Sequence, residues 1–231
     1  MVTGGGRGLG SALVRALAEA GADVAFSHRE SRRGALEAAE AVRQLGRRAF
    51  TAAADARVPG EITAFVDEAA ASLGGVDILV NNVGVFRRIP LEDMTEEALD
   101  EAFDVNVKAA VMASRAAAPH MRARGGGAIV NVASLGGLRA WPSHLAYCAS
   151  KAALLMATRC LALALAPQIR VNAVAPGILE PPGAEETVRR KIPAGRFGTH
   201  AEAVEAVLYL LGSAAYTTGD VLRVDGGRAL A

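Results

Sequence analysis

Cysteine is almost absent from the 231-residue chain, which holds only Cys148 and Cys160 and no C-x-x-C pair. Both sit in an apolar helical stretch, so buried, reduced thiols are expected rather than a disulfide framework. The four histidines (His28, His120, His144, His200) are scattered, with no H-E-x-x-H or Cys/His spacing, which leaves metal catalysis without a ligand set. Lysine is scarce as well: only Lys108, Lys151 and Lys191 among 25 basic residues. Against 24 acidic residues the formal charge is +1, which argues against nucleic acid or an anionic membrane as the main partner. No uninterrupted apolar run approaches the ~18 residues of a membrane span. The start, Met1-Val2-Thr3-Gly4, has neither the basic region nor the apolar core of a secretory signal, so a cytoplasmic protein is expected.

What the chain has in quantity is apolar residue, 52%, against 21% charged. A chain of this length buries about 70–75% of its unfolded surface and needs no structural staple. Short β-branched runs at 23–27, 48–53, 77–81, 128–132, 170–174 and 221–224 alternate with helical patterns at 11–20, 31–45, 60–73, 95–122, 144–166 and 201–211. Several strands are nearly all apolar, as strands covered on both faces are. The alternation predicts one α/β domain over 1–231, a doubly wound, Rossmann-type parallel sheet of about seven strands flanked by helices. The first strand would be a stub, since only Met1 and Val2 precede the first turn; either the natural start lies upstream or that strand is truncated. The segment 176–193, with four prolines and mixed charge, is a candidate lid or substrate loop.

Thr3-Gly4-Gly5-Gly6-Arg7-Gly8-Leu9-Gly10 joins the stub to the first helix. A glycine-rich turn at a helix N-terminus presents free N–H groups to a pyrophosphate, and the missing Cβ atoms let it approach. The spacing departs from G-x-G-x-x-G, and glycine clusters also serve as plain turns. At the carboxyl end of the second strand, where ligands of such sheets bind, the chain reads Ser27-His28-Arg29-Glu30-Ser31. His28 and Arg29, with Arg7 from the turn, favour the 2′-phosphate of NADP(H) over the free ribose of NAD(H). The alternative is a pair of solvated surface bases. Asp55, after the third strand, is placed to meet the adenine, and Gly84, in Asn81-Asn82-Val83-Gly84, lets a cofactor pass close.

Tyr147 and Lys151 stand four apart in one helical stretch and share a face. Bringing a phenol from about 10 to neutrality takes roughly 4 kcal/mol, which a neighbouring ammonium is suited to supply. Ser134, at the carboxyl end of its strand, is positioned to hold a carbonyl oxygen. Asn106 is an amide inside a helix, catalytic or purely structural. Trp141, Leu138 and His144 precede the Tyr147 helix as pocket walls, or as loop packing and a helix cap.

Together these motifs resemble the short-chain dehydrogenase/reductase family over essentially the whole chain, in the order Thr3 to Gly10, Asp55, Asn81 to Gly84, Asn106, Ser134, Tyr147/Lys151, Asn172-Ala173-Val174-Ala175-Pro176-Gly177 and Asp225-Gly226-Gly227. The resemblance implies that Tyr147 is the general acid in carbonyl reduction and that Lys151 binds the nicotinamide ribose and lowers the Tyr147 pKa. It further implies that Ser134 orients the carbonyl and Asn106 supports a water relay to Lys151. The cofactor set it implies is Gly4, Arg7, Gly8, Leu9, Gly10, His28, Arg29, Ser31, Asp55, Asn82, Gly84, Tyr147, Lys151, Pro176, Gly177 and Leu179, holding NADP(H). Within the family the chain is similar to 3-oxoacyl-thioester reductases, with features of the pteridine-reductase-like branch in Ser27-His28-Arg29, Asn82-Val83-Gly84-Val85-Phe86, the stretch from Ala166 to Pro182 and Val224-Asp225-Gly226-Gly227-Arg228. That branch often carries an acid where Ser134 stands and an arginine where Gly8 stands. The threonine that commonly follows Pro-Gly is replaced by a segment through Glu180-Pro181-Pro182.

Two rival classes share part of the pattern. Val132-Ala133-Ser134-Leu135-Gly136 is one residue short of a hydrolase nucleophile elbow, and an NADP(H)-binding sensor without catalysis would share the fold. Two long, alanine-rich helical stretches carry more apolar surface than one sheet face covers, which suggests a homo-oligomer. The resemblance implies a tetramer, with a dimer as the alternative.

Overall fold

The computed structural model describes residues 1–179 and 186–231. Among the described residues six strands form: β1 (Val24–His28), β2 (Ala49–Ala53), β3 (Ile78–Asn81), β4 (Gly127–Val132), β5 (Ile169–Pro176) and β6 (Val221–Val224). The α-helices among these residues are α1 (Gly8–Glu19), α2 (Arg32–Gln44), α3 (Pro59–Leu73), α4 (Glu96–Phe103), α5 (Ala109–Ala123), α6 (Leu145–Leu165), α7 (Glu186–Arg189) and α8 (His200–Leu211). All strand pairs are parallel, β1 with β2 and β3-β4-β5-β6 in order.

The expected seventh strand is reduced to Val2, which bridges Phe26 of β1 on one side and Val80 of β3 on the other. Its backbone still completes the sheet. Val2 N–H donates to Ala25 O (2.9 Å), Thr3 N–H to Val80 O (3.0 Å) and Val80 N–H to Met1 O (2.8 Å). The doubly wound sheet thus runs β2-β1-Val2-β3-β4-β5-β6, and its switch point falls at Val2, where the chain leaves into the glycine turn.

Strand side chains alternate between two cores, as a period of two requires. Val24, Phe26, Val80, Val130 and Val132 pack with Leu13, Val14 and Leu17 of α1, Val42 of α2 and Val207 and Leu210 of α8. Ala25, Leu79, Ile129 and Val171 face Phe65 and Val66 of α3, Ala113 and Met121 of α5 and Leu165 of α6. Beneath the second layer a buried polar chain ties sheet to helices. The Asn81 amide donates to Asn131 Oδ1 (2.8 Å) and Ser114 Oγ (3.1 Å), and the Asn131 amide donates to Thr158 Oγ1 (2.9 Å).

Two expectations need correction. The helix expected over 95–122 is interrupted by a π turn at Asp104–Lys108, which widens the helix so that Asn106 is drawn fully inside. The thiols are not buried: Cys148 is half-buried and Cys160 exposed, because the outer side of α6 faces solvent in the single chain. Of the candidate lid, 180–185, with Glu180, Pro181 and Pro182, lie outside the described residues; 186–189 form the short α7. Helix α6 has the length and composition of a membrane span, yet it packs on β5 and carries Lys151 and Thr158 in its buried face, as a core helix does.

Phe26 is fully buried between α1 and the glycine turn. Phe26→Ala is expected to cost about 3–5 kcal/mol in urea unfolding; a loss below about 1 kcal/mol would show that the turn does not rest on this ring.

Candidate active site

The turn after Val2 is pinned from both neighbouring strands. Gly4 N–H donates to Ser27 Oγ (3.1 Å) and Gly5 N–H to Ser27 O (2.8 Å). From β3 the Asn82 amide donates to Thr3 O (3.0 Å) and Gly4 O (3.1 Å), while Thr3 Oγ1 accepts from Asn82 N–H (3.0 Å). Gly10 is obligatory for close packing: a Cβ there would lie 2.0 Å from the Gly4 carbonyl oxygen. Helix α1 then starts with Arg7 as an uncapped, extended N-cap and no acid in its first turn, so its first N–H groups face outward without a side-chain partner.

These groups open onto a cavity of about 350 Å³. Its walls hold Gly4, Arg7, Gly8, Leu9 and Gly10 from the turn, His28, Arg29 and Ser31 from the end of β1, Asp55 from the end of β2, and Asn82 and Gly84 from the end of β3. A Cβ on Gly84 would sit 3.1 Å from Asn106 Oδ1 and 3.3 Å from Lys151 Nζ, so the cavity floor leads directly to the reacting residues. Pro176, Gly177 and Leu179 are not in this wall. Gly177 is paired with β6, its N–H donating to Val224 O (2.9 Å), and Leu179 bridges Gly198.

The charges around the cavity differ from expectation in three places. His28 is buried and shares a hydrogen bond with Thr51 Oγ1 (3.2 Å); desolvation, then the charge of Arg32, lowers its pKa, so the ring is neutral at pH 7. Arg29 pairs with Glu30 (2.7 Å), an acid in the same wall that sequence reasoning passed over although it stood in the quoted segment. Asp55 is committed to Arg57, whose hydrogen bond holds its carboxyl below the usual range.

Ser134 ends the turn after β4, its Oγ accepting from Gly136 N–H (3.0 Å) and acting on Tyr147 to oppose the rise in its pKa. The residues after it form a short 3₁₀ turn, Leu135–Gly137, rather than the helix a nucleophile elbow needs. Tyr147 and Lys151 both project from α6. Lys151 is 4% exposed and its ammonium donates to Val132 O (2.8 Å); burial lowers its pKa from 10.5 to about 8. The Tyr147 pKa is raised, by desolvation first, with the Ser134 hydrogen bond opposing. A Lys151 charge lowering it is not seen in the ligand-free chain, because the ammonium is turned to Val132 and desolvation of the phenolate outweighs what remains. Asn106 Oδ1 accepts from Val85 N–H (2.8 Å), and its amide donates to Val85 O (3.1 Å) and Ser150 Oγ (2.9 Å). Its side chain therefore holds the segment after Gly84 against α6 rather than reaching Lys151.

The sequence placed Phe86 only within a family resemblance and not at the site, where its ring lies 4.7 Å from that of Tyr147, and it gave no sign of Ser150, which joins Asn106 to the Tyr147 carbonyl. Phe86 follows Gly84 by two residues, the one local signal that it shares the site. Histidine 144 precedes α6 but makes no capping bond; its ring stacks on Phe86 instead.

Residues 4–229 match the family model described as enoyl-(acyl carrier protein) reductase. The L-xylulose reductase of Mesocricetus auratus is 37% identical over 98% of this chain and 94% of its own length. The cis-4-hydroxycyclohexanecarboxylate dehydrogenase of Sinomonas cyclohexanicum is 35% identical over 98% and 94%. Among solved structures, a blue fluorescent protein from a metagenomic library, in complex with NADPH, superposes with a TM-score of 0.93 at 35% identity, covering 99% of this chain and 96% of that one.

The Lys151 shift has a measurable consequence. Holding the ammonium inside costs roughly 3 kcal/mol at ~1.4 kcal/mol per pH unit, partly offset by ~1–2 kcal/mol from the bond to Val132. The folded pKa is depressed, so between about 8 and about 10.4 the unfolded chain binds the extra proton and stability rises with pH. Lys151→Met should therefore be more stable than wild type by about 1–2 kcal/mol at pH 7 in urea unfolding, the gap closing above about pH 8. A variant less stable than wild type at pH 7 would contradict it.

Proposed function

We propose that this chain, which belongs to the short-chain dehydrogenase/reductase family and is an oxidoreductase of that nicotinamide-dependent class, is an NADPH-dependent reductase of a small-molecule carbonyl, a 3-oxoacyl thioester or related ketone. The observation that carries it is the Tyr147 phenol, one helical turn from a buried Lys151 whose head borders Gly84 at the end of the glycine-turn cavity.

The cavity suits a dinucleotide. The Gly10–Gly4 approach leaves no room for a side chain, and the free start of α1 offers N–H donors to a pyrophosphate. When bound, the nicotinamide supplies the hydride that the carbonyl carbon accepts. Arg7 and Arg29, with neutral His28 as a hydrogen-bonding neighbour, favour NADP(H) over NAD(H); the Glu30 partner of Arg29 tempers that preference.

The remaining work falls to the chain. Ser134 orients the carbonyl oxygen toward Tyr147. Burial keeps Tyr147 a neutral phenol, the form a general acid needs in the reducing direction. As the phenol gives up its proton, Lys151 stabilises the developing phenolate and holds the nicotinamide ribose. Asn106 acts as a positioning residue through Val85 and Ser150.

The same reading takes the protein to be cytoplasmic and self-associating. Met156 and Leu163 (84% exposed) on the outer side of α6 give an apolar surface for a second copy. Sedimentation should give a dimer or tetramer mass at micromolar concentration.

Tyr147→Phe is expected to lower turnover by ~10²–10⁴ with NADPH affinity changed by less than about threefold, while Lys151→Ala damages both. Retained turnover in Tyr147→Phe would reject the role, and a KM for NADH at or below that for NADPH would reject the cofactor assignment. NADPH binding with no carbonyl reduced would favour a sensor.

A further inference from the structure

Whatever carbonyl lies between the Ser134 and Tyr147 hydroxyls, the carbons beside it meet aromatic rings. Phe86 stands edge-on to the Tyr147 ring at 4.7 Å, and Trp141 lies nearly parallel to it, 6.2 Å away with 10° between planes. Phe86 also lies flat on His144 at 4.8 Å, and Trp141 meets His144 edge-on at 5.7 Å.

The rings come from three segments that the backbone locks together. Ile89 N–H donates to Ser143 O (2.8 Å), joining the loop after β3 to the loop before α6. Gly136 lets Tyr147 and Trp141 settle on the backbone: a Cβ there would stand 2.9 Å from Tyr147 Cε1 and 3.1 Å from Trp141 Cζ3. Of the two arginines that follow Phe86, one is turned away from these rings and the other acts on His144. Arg87 is drawn off by a two-point bond to Glu101 (2.7 and 3.1 Å). Burial, then the Arg88 charge, lowers the His144 pKa, so that ring is neutral at pH 7. Phe86 is nevertheless 60% exposed, an apolar ring left open to water in the ligand-free chain.

Phe86 and Trp141 also meet edge-on at 6.4 Å, so the rings pack into one wall with Phe86 outermost. We propose that Phe86, Trp141 and His144 form an aromatic wall beside Tyr147 that selects ketones carrying a ring at the carbonyl, cyclic or aryl, over open-chain ketones and 3-oxoacyl thioesters. A flat ring gains contacts with the exposed Phe86 beyond the area it covers, and it loses less conformational freedom on binding than a flexible chain of the same size. The inference rests on the carbonyl-reductase reading and narrows it.

The test measures kcat/KM with NADPH on pairs of equal carbon number, cyclohexanone against 2-hexanone and acetophenone against 2-octanone, with acetoacetyl-coenzyme A as the thioester. Wild type should prefer the ring-bearing member by ~10-fold or more. The preference should fall within about threefold in Phe86→Ala and Trp141→Ala and be kept in Phe86→Tyr. Because each ratio is taken on one preparation, partial folding cancels. Trp141 is the sole tryptophan, so its fluorescence is a second readout that needs no turnover: with NADP⁺ present, cyclohexanone should give a saturable change at lower concentration than 2-hexanone. A wild-type ratio near one, a ratio untouched by both alanine substitutions, or no saturable fluorescence change would overturn the role of the aromatic wall. Open-chain ketones reduced in a Tyr147-dependent way, without ring preference, would overturn that role alone. No Tyr147-dependent reduction of any ketone would overturn the reductase reading itself.

Discussion

An ammonium group is costly to hold in a protein interior, and the Lys151 head, bonded to the Val132 carbonyl at the end of β4, is held there. The surroundings are shaped to allow it. Gly84 leaves the space above Nζ open, and Gly137 lets the 3₁₀ turn after Ser134 lie directly on the Lys151 backbone, where a Cβ would approach within 2.8 Å. The penalty makes sense only if the charge is used. A stranded ammonium one helical turn from a phenol is stability given up for an electrostatic element aimed at a phenolate that is yet to form.

The rest of the fold fixes that pair relative to the dinucleotide crevice. The polar chain from Asn81 through Asn131 to Thr158 sets α6 on the sheet two turns beyond Lys151, and Asn106 with Ser150 sets it one position before Lys151. Both ties are fully inside, where an unmet donor or acceptor is expensive, so they tolerate little drift. From the other side, Asn82 and Ser27 clamp the glycine turn between β3 and β1. Cradle and reacting residues are thus two ends of one hydrogen-bonded assembly built at the carboxyl edge of the sheet.

Much of this could be read from the chain because it depends on local spacing. The strand–helix alternation, the turn into α1 and the placing of Tyr147 and Lys151 on one helix face follow from periodicities of two and 3.6 residues. What escaped depends on packing between distant segments. Phe86 carries no periodic signal and joins the site only because the loop after β3 pairs with the loop before α6. The exposure of Cys160 could not be seen because hydropathy marks α6 as apolar without saying which side the sheet covers. His28 read as a surface base, yet strand pairing with β2 buries it against Thr51. In the ligand-free chain the Tyr147 pKa is raised, because proximity in sequence says nothing of where the Lys151 head turns, or of how much water the phenol loses.

The most direct measurement is the ionisation of Tyr147 with and without NADP⁺, followed by ultraviolet difference absorbance and isolated from Tyr209 and Tyr216 by subtracting Tyr147→Phe. Burial predicts a pKa above about 10 in the ligand-free protein, falling by at least about two pH units once the cationic nicotinamide and Lys151 face the phenol together. A Tyr147 pKa unchanged by NADP⁺ would contradict the assignment of this phenol as the group whose proton the reaction uses.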